Sequence, residues 1–187
     1  MLPDVIDDLR RQLFAYGDDP AVPRMLALLQ AGSAAFERSR FEPGHFTASA
    51  FVLSPDAGSL LLIHHAKLDR WLQPGGHIDP EDDTPLTGAL REVREETGIA
   101  DATGDGKLLD LDIHPIPANP KKGEPPHEHF DLRYLLRARS LDAKAGDDAL
   151  AAKWVPLEEV AASGDDASVR RVASRLLKDR TDGELLP

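Results

Sequence analysis

The sequence predicts an α/β or α+β fold, because extended and helical segments share one chain without any internal repeat. Three observations carry the prediction. Two β-rich runs, Phe46–Leu53 and Leu60–His65, flank the turn cluster Ser54-Pro55-Asp56-Ala57-Gly58-Ser59, as in a hairpin. A strongly patterned helix follows between Thr84-Pro85 and Gly98, and Ser168 to Leu177 has the spacing of a C-terminal amphipathic helix. With 187 residues, the chain has material for one domain with a sizeable core.

From the N-terminus, the segments near Pro3–Tyr16 and Ala21–Phe36 read as two helices that end before the Pro43-Gly44 break. Residues 1–40 are expected to form an N-terminal helical extension, and residues 41–187 the main domain. The extension packs either on the sheet or on a second subunit, as in a homodimer. After the hairpin, Leu72-Gln73-Pro74 leads into a glycine loop at Gly75-Gly76. Leu108–Pro117 and Phe130–Arg139 read as further strands. Lys153-Trp154-Val155-Pro156-Leu157 reads as a short strand running into a helix that holds Leu157, Val160 and Ala161.

The helix after Thr84 holds the chemistry. Thr84 or Asp83 caps its free amides, Pro85 suits the first turn, and Gly98 is a left-handed stop. At about 100° per residue, Leu86, Ala89, Leu90, Val93 and Thr97 share one arc. Glu92, Glu95 and Glu96 share another, expected to be exposed, with Arg91 one turn before Glu95 and placed to pair with it. Three clustered carboxylates repel one another and add little to helix stability. An ordinary solvated helix face would carry them equally well. The glycine pair upstream changes the weighing: Gly75 and Gly76 let the backbone approach closely and offer a carbonyl oxygen. Oxygen donors of this kind suit Mg²⁺ or Mn²⁺.

This segment resembles the signature of the Nudix hydrolases, Gly-x5-Glu-x7-Arg-Glu-(apolar)-x-Glu-Glu-x-Gly-(apolar). Arg91, Glu92, Val93, Glu95, Glu96, Gly98 and Ile99 match its second half. The first half departs: one residue is added between Gly76 and Arg91, and an aspartate stands for the first glutamate. Either Asp82 or Asp83 can take that place. Asp83 is preferred, since it keeps the spacing to the rigid helix and leaves the extra residue in the loop.

The resemblance implies an α/β/α sandwich around a mixed β-sheet. It also implies hydrolysis of a phosphoanhydride in a nucleoside diphosphate linked to another group, or in a related organic pyrophosphate. Mg²⁺, with Mn²⁺ as the substitute, would be held by Gly75 or Gly76, Glu92, Glu95 and Glu96. Glu92 would serve as ligand or as general base, Arg91 would orient a glutamate, and Asp83 would be an outer ligand or base. A non-catalytic nucleotide or ADP-ribose-type sensor is the alternative, against which the full Arg-Glu-x-x-Glu-Glu set argues. Isoprenoid diphosphate isomerisation on a similar fold relies on a cysteine, and this chain has none.

A second constellation is His127-Glu128-His129-Phe130-Asp131-Leu132-Arg133-Tyr134. On a strand, His127, His129, Asp131 and Arg133 share one face. They are candidate substrate contacts, as are His45 at the start of the first strand and His77 after the glycine pair. A half-exposed polar strand face is the competing reading, and the His-x-His pair also admits a transition metal. The preceding loop, Pro117 to Pro126, carries Lys121 and Lys122 and is a candidate substrate lid or a plain connection.

The formal net charge of −11 excludes non-specific nucleic-acid binding, which needs a basic surface. It also requires cations at any site that takes a polyphosphate. No run is long and apolar enough to span a bilayer, and a basic-then-apolar leader is missing, so a cytoplasmic protein is expected.

Overall fold

The computed structural model describes residues 1–146 and 149–183, so residues 147–148 and 184–187 of the expected 41–187 domain lie outside the described residues. Helix α1 (Pro3–Tyr16) and helix α2 (Ala21–Leu29) are followed by a 3-10 turn at Gly32–Phe36. The expected helix to Phe36 therefore stops early. Gly32 takes a left-handed φ of 62°, which ends a right-handed helix.

Seven described strands form one sheet: β1 (Gly44–Leu53), β2 (Ser59–His65), β3 (Arg70–Leu72), β4 (Gly75–His77), β5 (Leu108–Ile116), β6 (His127–Arg137) and β7 (Ala149–Pro156). The order is β3-β2-β1-β6-β5, with β4 beside β1 and β7 beside β2. β1 and β6 run parallel and the other pairs antiparallel, so the sheet is mixed. The glycine loop expected at Gly75-Gly76 is thus a strand, and β6 starts at His127, three residues before the expected Phe130. Those added residues pair with Gly44–His45 of β1 and with His114–Ile116 of β5.

Helix α3 (Pro85–Thr97) lies between β4 and β5, and α4 (Leu157–Ser163) and α5 (Ala167–Thr181) close the chain. All ten residues of β1 are buried, because helices cover both of its faces. Phe46, Ala48, Ala50 and Val52 share a core with Leu13, Met25 and Phe36 of the N-terminal segment and with Ala89 and Val93 of α3. Phe51 and Leu53 share the opposite core with Leu157 of α4 and Val169, Val172 and Leu176 of α5. The architecture is therefore the expected α/β/α sandwich. The N-terminal helices lie on the chain's own sheet. At roughly 1.5–3 kcal/mol per fully buried side chain, Leu13, Met25 and Leu29 bind them there firmly.

Two ends of α3 are fixed locally. The Thr84 hydroxyl accepts from the Thr87 N–H at 3.1 Å while Thr87 Oγ1 accepts from the Thr84 N–H at 2.9 Å, a reciprocal cap. Gly98 ends the helix at φ 71°. Thr84→Ala should lower the free energy of unfolding by about 1 kcal/mol, read from the urea midpoint. An unchanged midpoint would show that the cap adds nothing to tertiary packing.

Candidate active site

The site is built where β4 meets α3. Gly76 pairs with Ala48 and Gly75 with Ser49 of β1, which leaves almost no room at either glycine. A Cβ on Gly75 would stand 2.2 Å from Ser49 Cβ, and one on Gly76 would stand 2.6 Å from Glu92 Oε1. Neither glycine has a positive φ. They are required for close approach, then, and not for a sharp turn. The Gly75 N–H donates to Glu96 Oε2 at 2.9 Å, which ties the strand to the last turn of the helix.

Glu96 is consequently buried, 7% exposed, although the helical pattern places it on an exposed arc. Glu92 is half-buried and Glu95 is exposed. Arg91 joins these groups: its Nη1 donates to Glu92 Oε1 and to Glu95 Oε2, each at 3.0 Å, and its Nη2 donates to the His77 carbonyl at 2.8 Å. The pairing with Glu95 agrees with the helical spacing.

Of the two aspartates that could take the first acidic position, the one that reaches Arg91 is Asp82. Asp83 is exposed, whereas Asp82 accepts from Arg91 Nη2 at 3.0 Å and from Arg91 Nε at 3.2 Å. Asp82 also accepts from the Asp79 N–H, closing a tight turn ahead of the helix. With Asp82 in that place, the extra residue lies between Asp82 and α3. The turn, not the helix spacing, decides which aspartate reaches Arg91.

Burial raises the Glu92 pKa above the usual carboxylate range, against the opposing effect of Arg91. Arg91 is itself partly desolvated, but its hydrogen bond to Asp82 and the Glu92 charge hold its pKa up. Acidic groups thus meet at this seam, and a cation there would relieve their repulsion.

The other side of the sheet carries rows of polar side chains in register. His45 of β1 lies opposite His129 of β6, which lies opposite His114 of β5; Thr47 pairs with both His77 of β4 and Asp131 of β6. The rings of His45, His77 and His129 approach to 4.8–5.2 Å between centroids, and His127 stands 5.3 Å from both His45 and His129. The four histidines singled out in the sequence therefore converge.

Asp131 and Arg133 are held instead in a buried network of their own. Arg133 is 3% exposed and all its nitrogens are engaged: Nε with Asp131 at 2.9 Å, Nη1 with Asp110 at 3.2 Å and Ser168 at 2.9 Å, and Nη2 with Asp112 at 3.1 Å. Asp131 accepts in turn from Thr47 and Ser49. This buried network fixes the sheet under α5. Removing one partner would leave charges unpaired, which is why such groups are kept in place.

Sequence reasoning set Asp82 behind Asp83, and did not single out Asp110, Asp112 and His114. The last three alternate along β5 with the same two-residue period that marks His127–Arg133 on β6. That alternation was the available signal.

An α/β/α sandwich that docks a three-glutamate helix on a glycine strand defines a Nudix protein. The NUDIX domain family model matches residues 43–177, and the chain belongs to the Nudix hydrolases, as a Nudix-type pyrophosphohydrolase. It is 32% identical over 148 residues to a protein of Lactococcus lactis subsp. cremoris named a probable DHNTP pyrophosphohydrolase, covering 79% of this chain and 86% of that one. A NUDIX-family hydrolase from Clostridium perfringens has the same fold, with a TM-score of 0.54 at 24% identity, over 72% of this chain and 96% of the other. So does the E. coli dihydroneopterin triphosphate pyrophosphohydrolase, with a TM-score of 0.54 at 17% identity, over 72% and 95%. No described helix is long and apolar enough to cross a membrane.

The histidines give a pH prediction. Burial first, then the charges of Arg38, His45, His127 and Lys122, depress His77 to about 3; burial, then His77, His45, His114 and His127, depress His129 to about 2; burial lowers His45 as well. The unfolded chain then binds more protons than the folded one below about pH 6.5. Stability is full above that value and falls as the pH drops toward the folded values. In chelator-treated protein, the urea midpoint should fall between about pH 7 and pH 5. His129→Asn should flatten the fall, by up to about 1.4 kcal/mol per pH unit. An equal slope in both proteins would contradict the buried neutral imidazole.

Proposed function

We propose that the protein hydrolyses a phosphoanhydride bond in a nucleoside diphosphate linked to another group, or in a related organic pyrophosphate, with Mg²⁺ at the β4–α3 seam. Mn²⁺ would substitute there. The observation that supports this most is the contact of the glycine strand with the acidic helix. Glycine at position 76 keeps the space beside Glu92 Oε1 open, since a Cβ would fill it at 2.6 Å. Carboxylates with a nearby backbone carbonyl are the oxygen donors that hard cations take.

Glu95 and Glu96, with a Gly75 or Gly76 carbonyl and Glu92, would hold the cation. When bound, Mg²⁺ neutralises phosphate oxygens and lowers the pKa of a coordinated water. Glu92, whose pKa burial raises, would serve either as a ligand or as the base that takes a proton from water. Arg91 orients Glu92 and Glu95 and is itself held by Asp82, so Asp82 acts as a positioning residue. His45, His77, His127 and His129 converge on the other face of the sheet, and if they meet the substrate they do so at a part of it remote from the carboxylate seam. The Lactococcus relative's name adds dihydroneopterin triphosphate to the candidate substrates.

The test is phosphate or pyrophosphate release with Mg²⁺ over dinucleotides, nucleotide sugars, nucleoside triphosphates and dihydroneopterin triphosphate. At least one should be cleaved, and turnover should vanish with EDTA. Glu96→Gln keeps an oxygen for the Gly75 N–H, so the variant should fold while kcat falls roughly 100-fold or more. Tight binding of one compound without cleavage of any would favour the sensor instead.

A further inference from the structure

The histidines on the sheet converge more closely than a polar strand face requires. Imidazole nitrogens of His45, His77 and His129 all lie within 4.8 Å of one another, and they come from three adjacent strands, β1, β4 and β6. Strands hold side chains in place better than loops do, so the convergence is built into the register.

A second observation concerns His45 alone. Its Nδ1 stands 2.9 Å from the Arg40 carbonyl. A carbonyl oxygen only accepts, so Nδ1 carries the hydrogen and Nε2 is left with a bare lone pair. His45 is 1% exposed, and that Nε2 is buried with no hydrogen-bond partner. A buried acceptor left unsatisfied is costly. The same arrangement, one ring nitrogen donating to a backbone carbonyl while the other points at a site, is how proteins orient metal-binding histidines.

From these two observations we propose that His45, His77 and His129 form a binding site for a transition-metal dication of the zinc class. Three imidazole donors suit Zn²⁺, Co²⁺ or Ni²⁺, and suit Mg²⁺ poorly. Zinc–nitrogen bonds of about 2.0–2.1 Å would draw the nitrogens together by modest ring rotations. Three protein ligands leave a fourth position open, as in catalytic zinc sites. Arg38 and Lys122 carry positive charge near His77. They disfavour a bare dication, so the fourth ligand is an anion, such as hydroxide or a phosphoryl oxygen.

Successive strand residues point to opposite faces. At Gly76 a side chain would point at Glu92, so His77 points away from the glutamates. The imidazole site and the carboxylate seam are therefore two sites on opposite sides of one three-residue strand, with different metal preferences. The proposal does not depend on the hydrolytic reading.

Its test needs no substrate. Protein stripped with chelator is titrated with Zn²⁺ by calorimetry against a competing chelator, and separately with Co²⁺ to read the visible absorption of a tetrahedral site. One equivalent should bind at micromolar affinity or better. His129→Ala and His45→Ala should each weaken it on the order of 100-fold, whereas Glu96→Gln should leave it unchanged. If His45→Ala fails to fold, His77→Asn on the half-buried β4 strand gives the same readout. Absence of micromolar zinc binding would overturn the proposal. So would binding that survives the histidine variants, or that disappears with Glu96→Gln. Loss of hydrolysis with intact zinc binding would count against the hydrolytic reading alone.

Discussion

Three residues, Gly75, Gly76 and His77, join the sheet to the acidic helix, and the arrangement of the site depends on that junction. They pair with Ser49, Ala48 and Thr47 of the fully buried strand β1. From the other side, Glu96 accepts from the Gly75 N–H and Arg91 donates to the His77 carbonyl. A strand this short has little stability of its own. It is held because β1 is rigid and because both of its ends are hydrogen-bonded to α3. Glu92 and Glu96 are thereby brought against a backbone that has no side chain to exclude them.

The same junction separates two chemical environments. Toward α3, carboxylates gather around Arg91: Asp82, Glu92 and Glu95 all accept from its guanidinium. On the opposite face imidazoles gather instead, and burial depresses the pKa values of His45, His77 and His129. Beyond them the buried Arg133 network with Asp110, Asp112 and Asp131 anchors β5 and β6 beneath α5. The Arg133 guanidinium is thus enclosed by three carboxylates, one of which, Asp110, also pairs with Arg171.

The helical half of the site was legible in the sequence because period and caps are local: Thr84, Gly98, the Arg91–Glu95 spacing and the acidic arc all follow from helix geometry. The two halves of the sandwich followed from hairpin and helix signals together with the Nudix resemblance. What escaped was set by distant partners. Glu96 is buried because Gly75 meets it from another strand, a contact that helical periodicity does not contain. Asp82 displaced Asp83 because the turn at Asp79 aims it at Arg91. Arg133 is surrounded by three aspartates from two strands, a setting that the alternation along β6 alone does not contain. The convergence of His45 with His77 and His129 depends on a parallel pairing of β1 with β6 between residues more than eighty positions apart.

The open space at Gly76 is where the Glu92 carboxylate sits. Steady-state kinetics of Gly76→Ala, alongside its thermal unfolding, tests it most directly. The added methyl group meets a side-chain carboxylate instead of backbone, so the fold should persist while the carboxylate is displaced. The account predicts a near-native melting temperature with kcat/KM reduced roughly 100-fold or more. Wild-type kcat/KM in a folded Gly76→Ala protein would contradict it.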